Sequence, residues 1–170
     1  IGKYAFYNCK YLTASNLIKL TRTSVDSYAF SSSISDFKGE IKIESSTIGS
    51  HAFENFGKTF TLTFTLSGTS SISEYAFYSS GIQHSLLFNG STINSIGTKA
   101  FAKCAGLDKD LTIIDDLTIN SYAFEGCNFK NIKIDGKQNI GQSAFEGHGP
   151  ITSLVIGEEE TDYSNDNYPE

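Results

Sequence analysis

Cys104, Cys127 and His148 are the residues whose types and spacing most resemble a reactive set. They lie 23 and 21 residues apart, and thiolate and imidazole are zinc ligands. The same sequence position also holds Cys9, Ser33, Phe56 and Ser80. It therefore accepts small and apolar side chains in general, and a row along one line fits a tetrahedral site poorly. Buried thiols and a satisfied core histidine are the preferred reading, and no metal ligand is assigned. A disulfide between Cys104 and Cys127 stays open as a second reading, because neighbouring coils would bring their Cα atoms near the allowed span. Three cysteines leave one unpaired, which is atypical of a disulfide framework.

Nucleophilic catalysis needs a nucleophile, a base and an orienting group in one place. His51 and His84 have no acidic neighbour that the repeat defines. No phosphate loop, dinucleotide fingerprint or metalloprotease motif occurs in the chain. The expectation is no enzyme, no catalytic or cofactor-binding residue, and no cofactor. Asn89-Gly90-Ser91 is a glycosylation sequon, but Asn-Gly also supplies turn dihedrals, and the corner reading is preferred.

What must position any site is a repeat. Ala-Phe occurs at Ala5-Phe6, Ala29-Phe30, Ala52-Phe53, Ala76-Phe77, Ala100-Phe101, Ala123-Phe124 and Ala144-Phe145, in steps of 24, 23, 24, 24, 23 and 21. Chance would give about one such pair in a chain of this composition, so the regular series is a solenoid signature. Four residues before each Ala stands Ile1, Val25, Ile48, Ile72, Ile96, Ile119 or Ile140. Directly before it stand Tyr4, Tyr28, His51, Tyr75, Lys99, Tyr122 and Ser143.

Each unit ends in a short alternating segment such as Ile41-Lys42-Ile43, Leu111-Thr112-Ile113 or Ile132-Lys133-Ile134. Alternation of this kind predicts a strand buried on one face. Seven such strands, stacked at about 4.8 Å, predict a parallel sheet roughly 30 Å long.

The pattern Ile96-Gly97-Thr98-Lys99-Ala100-Phe101-Ala102-Lys103-Cys104 resembles the BspA-type leucine-rich repeat, and the resemblance runs over residues 1 to about 156. Family members often carry Ile-Pro-x-Ser-Val after the strand. This chain instead has Glu44-Ser45-Ser46-Thr47-Ile48, and its prolines are Pro150 and Pro169. The resemblance implies an α/β-type repeat solenoid, with short parallel strands on one face and turns or short helical segments on the other, in seven coils of about 23 residues. It also implies a surface protein used in adhesion or host interaction, extracellular or at the cell surface. An intracellular scaffold or cytoskeleton-associated role is the alternative, consistent with the odd number of cysteines.

Residues 1–156 are read as the solenoid and 157–170 as an acidic tail or partial cap. That tail holds six of the 19 acidic residues, which leaves the body with 13 acidic against 13 basic. A neutral body does not suit nucleic acid, and no apolar run is long enough to span a membrane. The outward residues of the strands, Lys19, Lys42, Thr63, Leu87, Thr112, Lys133 and Val155, form the candidate binding face, mixed enough in character for a protein or glycan partner. The repeat is already under way at Ile1. A solenoid end exposes its core and strand edges, so the first coil is expected to meet further repeats or a neighbouring chain.

Overall fold

The computed structural model describes residues 1–12, 17–44, 47–57, 59–65, 71–88, 93–114, 116–136 and 139–157. In chain order the strands are β1 (Leu17–Thr21), β2 (Ser24–Val25), β3 (Glu40–Glu44), β4 (Thr47–Ile48), β5 (Thr61–Thr65), β6 (Leu86–Phe88), β7 (Ser95–Ile96), β8 (Asp110–Ile113), β9 (Thr118–Ile119), β10 (Asn131–Ile134), β11 (Asn139–Ile140) and β12 (Ser153–Ile156). All pairings are parallel and join equivalent positions of successive coils. The result is a solenoid of parallel strands.

One face carries two ladders, β1-β3-β5 and β6-β8-β10-β12. The isolated bridge Phe60↔Ile82 continues the stacking between them. The two-residue strands make a second row, carried through Ile72 by its bridges to Ile48 and Ile96. The alternation in sequence becomes alternation in burial: Leu111, Ile113, Ile132 and Ile134 face the core, while Asp110, Asn131 and Lys133 are exposed.

The Ile-x-x-x-Ala-Phe segment returns the chain through consecutive turns. The short helical segments expected here do not occur among the described residues. The reason lies in the backbone dihedrals. Residues just before and three after each Ala have positive φ, as at Tyr28 (58°), Ser32 (54°), Tyr75 (55°) and Ser79 (53°). A left-handed residue every fourth position cannot continue a right-handed helix.

The hydrogen bonds show what the left-handed residues achieve. Alternate N–H groups turn inward and bond within the coil, as Ala76 N to Ser73 O and Tyr78 N to Tyr75 O. The others point along the solenoid axis and donate to the next coil. Tyr75 N donates to Thr98 O, Phe77 N to Ala100 O and Ser79 N to Ala102 O, at 2.8–2.9 Å. The same triplet recurs from Tyr4, Phe6 and Asn8 through Tyr122, Phe124 and Gly126. Each bond contributes about 0.5–1.5 kcal/mol net, which offsets the cost of about 1–2 kcal/mol for a left-handed residue.

The core is one continuous cluster from Leu20 to Ala144. Its axis is a column of Phe rings. Phe6, Phe30, Phe53, Phe77, Phe101, Phe124 and Phe145 stack with centroids 5.0–5.5 Å apart and nearly parallel planes. Ala before each Phe is buried in the inner coils, because only a small side chain fits where the backbones meet. A related constraint acts three residues before the Ala, where the column reads Gly2, Asp26, Gly49, Ser73, Gly97, Asn120, Gly141. A Cβ on Gly97 would lie 2.5 Å from the backbone of Ser73 and Glu74. Every polar residue of this column thus faces a glycine in the coil on either side.

The first and last described coils are less buried than the inner ones. Leu154 and Ile156 of β12 are 55% and 60% exposed, against 2% and 1% for Ile132 and Ile134 in β10. At the other end Ile1, Tyr4, Tyr7, Tyr11, Leu12 and Leu17 are exposed and Phe6 is half-buried.

Candidate functional site

Within each ladder the parallel register places equivalent outward residues side by side. Lys19 pairs with Lys42, and Lys42 with Thr63. Leu87 pairs with Thr112, Thr112 with Lys133, and Lys133 with Val155. The backbone therefore brings the candidate row into line within each ladder. Lys19 and Lys133 are exposed, and Lys42, Thr112 and Val155 are half-buried. The side chains of Thr63 and Leu87 lie outside the described residues, as does the sequon at 89–91.

Polar groups bridge from coil to coil beside this row. Asn131 Nδ2 donates to Asp110 Oδ1 at 2.7 Å. Asp110 N donates to Ser85 Oγ at 3.3 Å. Lys42 Nζ meets Glu40 Oε2 at 3.4 Å within its own strand. Among the described side chains this face is polar, with cations at Lys19, Lys42 and Lys133. Such a face can donate and accept hydrogen bonds through its described side chains.

The cysteine position resolves differently from a metal site. All three thiols are free, and Cys104 and Cys127 are fully buried while Cys9 is only half-buried, since no described coil covers it. Cys104 Sγ donates to Phe77 O at 3.0 Å and lies 3.5 Å from Ser80 Oγ. Cys127 Sγ donates to Phe101 O at 3.3 Å. Each thiol thus satisfies a backbone carbonyl of the preceding coil. Burial pushes the Cys104 thiol up to about 11 and the Cys127 thiol well above its ordinary value, which suppresses nucleophilic thiolate. His148 packs against Phe129 and Phe145, with Nδ1 2.9 Å from Gly149 O. Among the described residues no group of three His, Cys, Asp or Glu is arranged to hold a metal ion.

The two other histidines have acidic partners, though not ones that the repeat defines. His51 Nδ1 lies 2.9 Å from Glu54 Oε2, and His84 Nδ1 lies 3.5 Å from Asp108 Oδ1. The His51–Glu54 pair is three residues apart on one turn, a spacing legible in the sequence. No nucleophile is held against either pair in the described contacts.

A second ordered surface lies on the turn side. Tyr4, Tyr28, His51 and Tyr75 stack face to face, with centroids 4.5–5.2 Å apart. The line continues as Lys99 Nζ sits 5.1 Å over the Tyr122 ring and 3.3 Å from Glu125 Oε2. Lys103 Nζ lies 5.3 Å over Tyr78. Hydrogen bonding to Glu125 raises the Lys99 ammonium above its ordinary range, and bonding to Tyr78 does the same for Lys103. Burial first, then the Glu54 charge, raises the Tyr28 phenol. The residue types directly before each Ala signalled this column in the sequence, but its stacking follows only from the coil geometry.

Comparison with known proteins gives one family. The model for the BspA type leucine rich repeat region matches in six copies, over residues 1–108 and 94–168. Neither the curated proteins nor the solved structures searched contain a match. Repeats of this family generally serve as protein-interaction modules. No helix among the described residues is long and apolar enough to cross a membrane.

Proposed function

The chain belongs to the BspA type leucine-rich repeat family, and on that premise we propose that it is a protein- or glycan-binding module for adhesion or host recognition at a cell surface. In this reading the solenoid occupies residues 1–156 in seven coils of about 23 residues, one for each Ala-Phe pair, and 157–170 is an acidic tail or partial cap. The binding face is the row Lys19, Lys42, Thr63, Leu87, Thr112, Lys133 and Val155. The observation that carries the proposal is the in-register pairing of these positions within each of two ladders, which lines up outward residues of mixed polarity. Extended faces are what solenoids offer to partners.

Among the described residues nothing in the site favours chemistry on the bound partner. The thiols are buried with raised pKa values, and the strand face holds hydrogen-bonding groups without a base-activated nucleophile. A cytoplasmic or cytoskeletal scaffold is the second reading, favoured by three cysteines that are all free, a condition usual in reducing compartments.

The test is binding of the folded chain to immobilised extracellular-matrix proteins and glycans, alongside a variant with Lys19→Ala, Lys42→Ala and Lys133→Ala. The proposal expects a ligand that the wild type binds and the variant does not, at unchanged stability. A ligand bound equally by both would move the site off the strand row.

A further inference from the structure

We propose that Tyr4 and Tyr28 are an oxidative cross-linking site, at which a peroxide-driven one-electron oxidant joins the two rings by a carbon–carbon bond and staples one coil to the next. The two tyrosines hold the same position, directly before Ala, in successive coils 24 residues apart. Their rings stack with centroids 5.2 Å apart and 23° between the planes. Both residues have matching positive φ, 59° and 58°, so the side chains leave the two backbones alike. Tyr4 N donates to Ser27 O at 3.2 Å, and Phe6 N to Ala29 O at 2.7 Å. These bonds hold the two backbones together on either side of the pair. The reacting rings are thus neighbours before any oxidation occurs, and such placement replaces a diffusive encounter by an intramolecular one.

The arrangement is particular to this pair. In a face-to-face pair the carbons ortho to one hydroxyl lie over their counterparts on the other ring. Tyr4 and Tyr7 instead meet edge to face, at 5.5 Å and 81°. Tyr75 and Tyr78 are tilted by 56°. Along the column before Ala, His51 stands between Tyr28 and Tyr75, and Lys99 between Tyr75 and Tyr122. Tyr4 and Tyr28 are therefore the one place in that column where two tyrosines occupy successive coils.

The chemistry balances. Each phenol gives up one electron and its hydroxyl proton and becomes a phenoxyl radical, whose spin is shared with the ortho carbons. The two radicals pair into an ortho–ortho bond as the side chains rotate. Each ortho hydrogen then moves as a proton to its ring's oxygen, and both rings regain aromaticity. Hydrogen peroxide takes up the two electrons and two protons and leaves as two waters. The chain loses two hydrogen atoms in all. The new bond closes a loop one coil long, and a cross-link of that kind restricts the unfolded chain.

Treatment of the full chain with hydrogen peroxide and a haem peroxidase tests this, at low concentration so that links between chains are rare. Denaturation, tryptic digestion and mass spectrometry follow. The expected product is peptide 4–10 joined to peptide 23–38, lighter than the two together by two hydrogens. Peptide 23–38 holds Tyr28 as its one tyrosine, and fragmentation separates Tyr4 from Tyr7 in the other. Tyr4→Phe and Tyr28→Phe keep the stacked ring without its hydroxyl, and each should abolish the product. Tyr7→Phe should leave it in place. Unfolding the wild type in urea before treatment should lower the yield by about tenfold or more, because the placement is lost. No product from the folded wild type, a link at Tyr7 or Tyr11 in its stead, or equal yields from folded and unfolded chain would each overturn the proposal. The peptide map of the wild type decides the matter even where a variant fails to fold.

Discussion

Replacing Phe77 by Ala removes the central ring of the column. Phe77 is fully buried and lies between Phe53 at 5.2 Å and Phe101 at 5.3 Å, with interplanar angles of 3° and 2°. Deleting a buried Phe side chain costs about 3–5 kcal/mol in transfer and cavity terms. The site has little room to collapse, because Tyr75, Phe77 and Ser79 N–H groups bond the following coil and those of His51, Phe53 and Asn55 bond the preceding coil to this one. The upper part of that range, about 4–5 kcal/mol, is therefore expected. Phe6→Ala supplies the internal comparison. Among the described residues its ring is half-buried and stacks on Phe30, so its loss should cost less than half as much. Urea unfolding of both variants, with the slope compared to the wild type, reads the two values. Losses below about 1 kcal/mol for Phe77→Ala, or equal losses at the two positions, would refute the column as the main source of stability.

Four shorter expectations accompany this. Gly97→Ala should destabilise by about 1–3 kcal/mol, the usual cost of forcing extra volume into a packed site, since the added Cβ meets backbone at 2.5 Å; a neutral result in thermal melting would contradict the close approach. The thiol of Cys104 is pushed up from 9.0 to about 11 in the fold, so its contribution is complete below pH 9 and is lost as pH rises through 11, amounting to about 2–3 kcal/mol. Denaturant midpoints should fall across that window and fall less in Cys104→Ser, and identical profiles would remove the assignment. Alkylation at pH 8 should modify Cys9 well before Cys104 and Cys127, and equal rates would contradict the burial of the latter two. Replacing Lys19, Lys42 and Lys133 together by Ala should change stability by less than about 0.5 kcal/mol each, and a larger loss would show that the strand row is structural.

The seven Ala-Phe pairs and the Ile column made the solenoid and its inward face readable in the sequence, because burial acts on residue type at every turn. The turn side was less readable. Tyr, His, Lys and Ser all occupy the left-handed position before Ala, and none carries the glycine signal that usually marks positive φ. Only the cross-coil bonds of the arc explain why non-glycine residues are held there. The Cys9 environment was misjudged because burial in a solenoid depends on the next coil as well as on the column. The acidic partners of His51 and His84 were missed for different reasons. Glu54 is local to its turn, whereas Asp108 reaches His84 from the following coil. The binding row was placed by strand alternation, and what binds it is not encoded in that alternation.

Amide hydrogen exchange, resolved by residue, tests the stacked-coil account most directly. The account predicts strong protection at Phe30, Phe53, Phe77, Phe101 and Phe124, whose N–H groups donate to the next coil. Fast exchange at these inner Phe amides would contradict it.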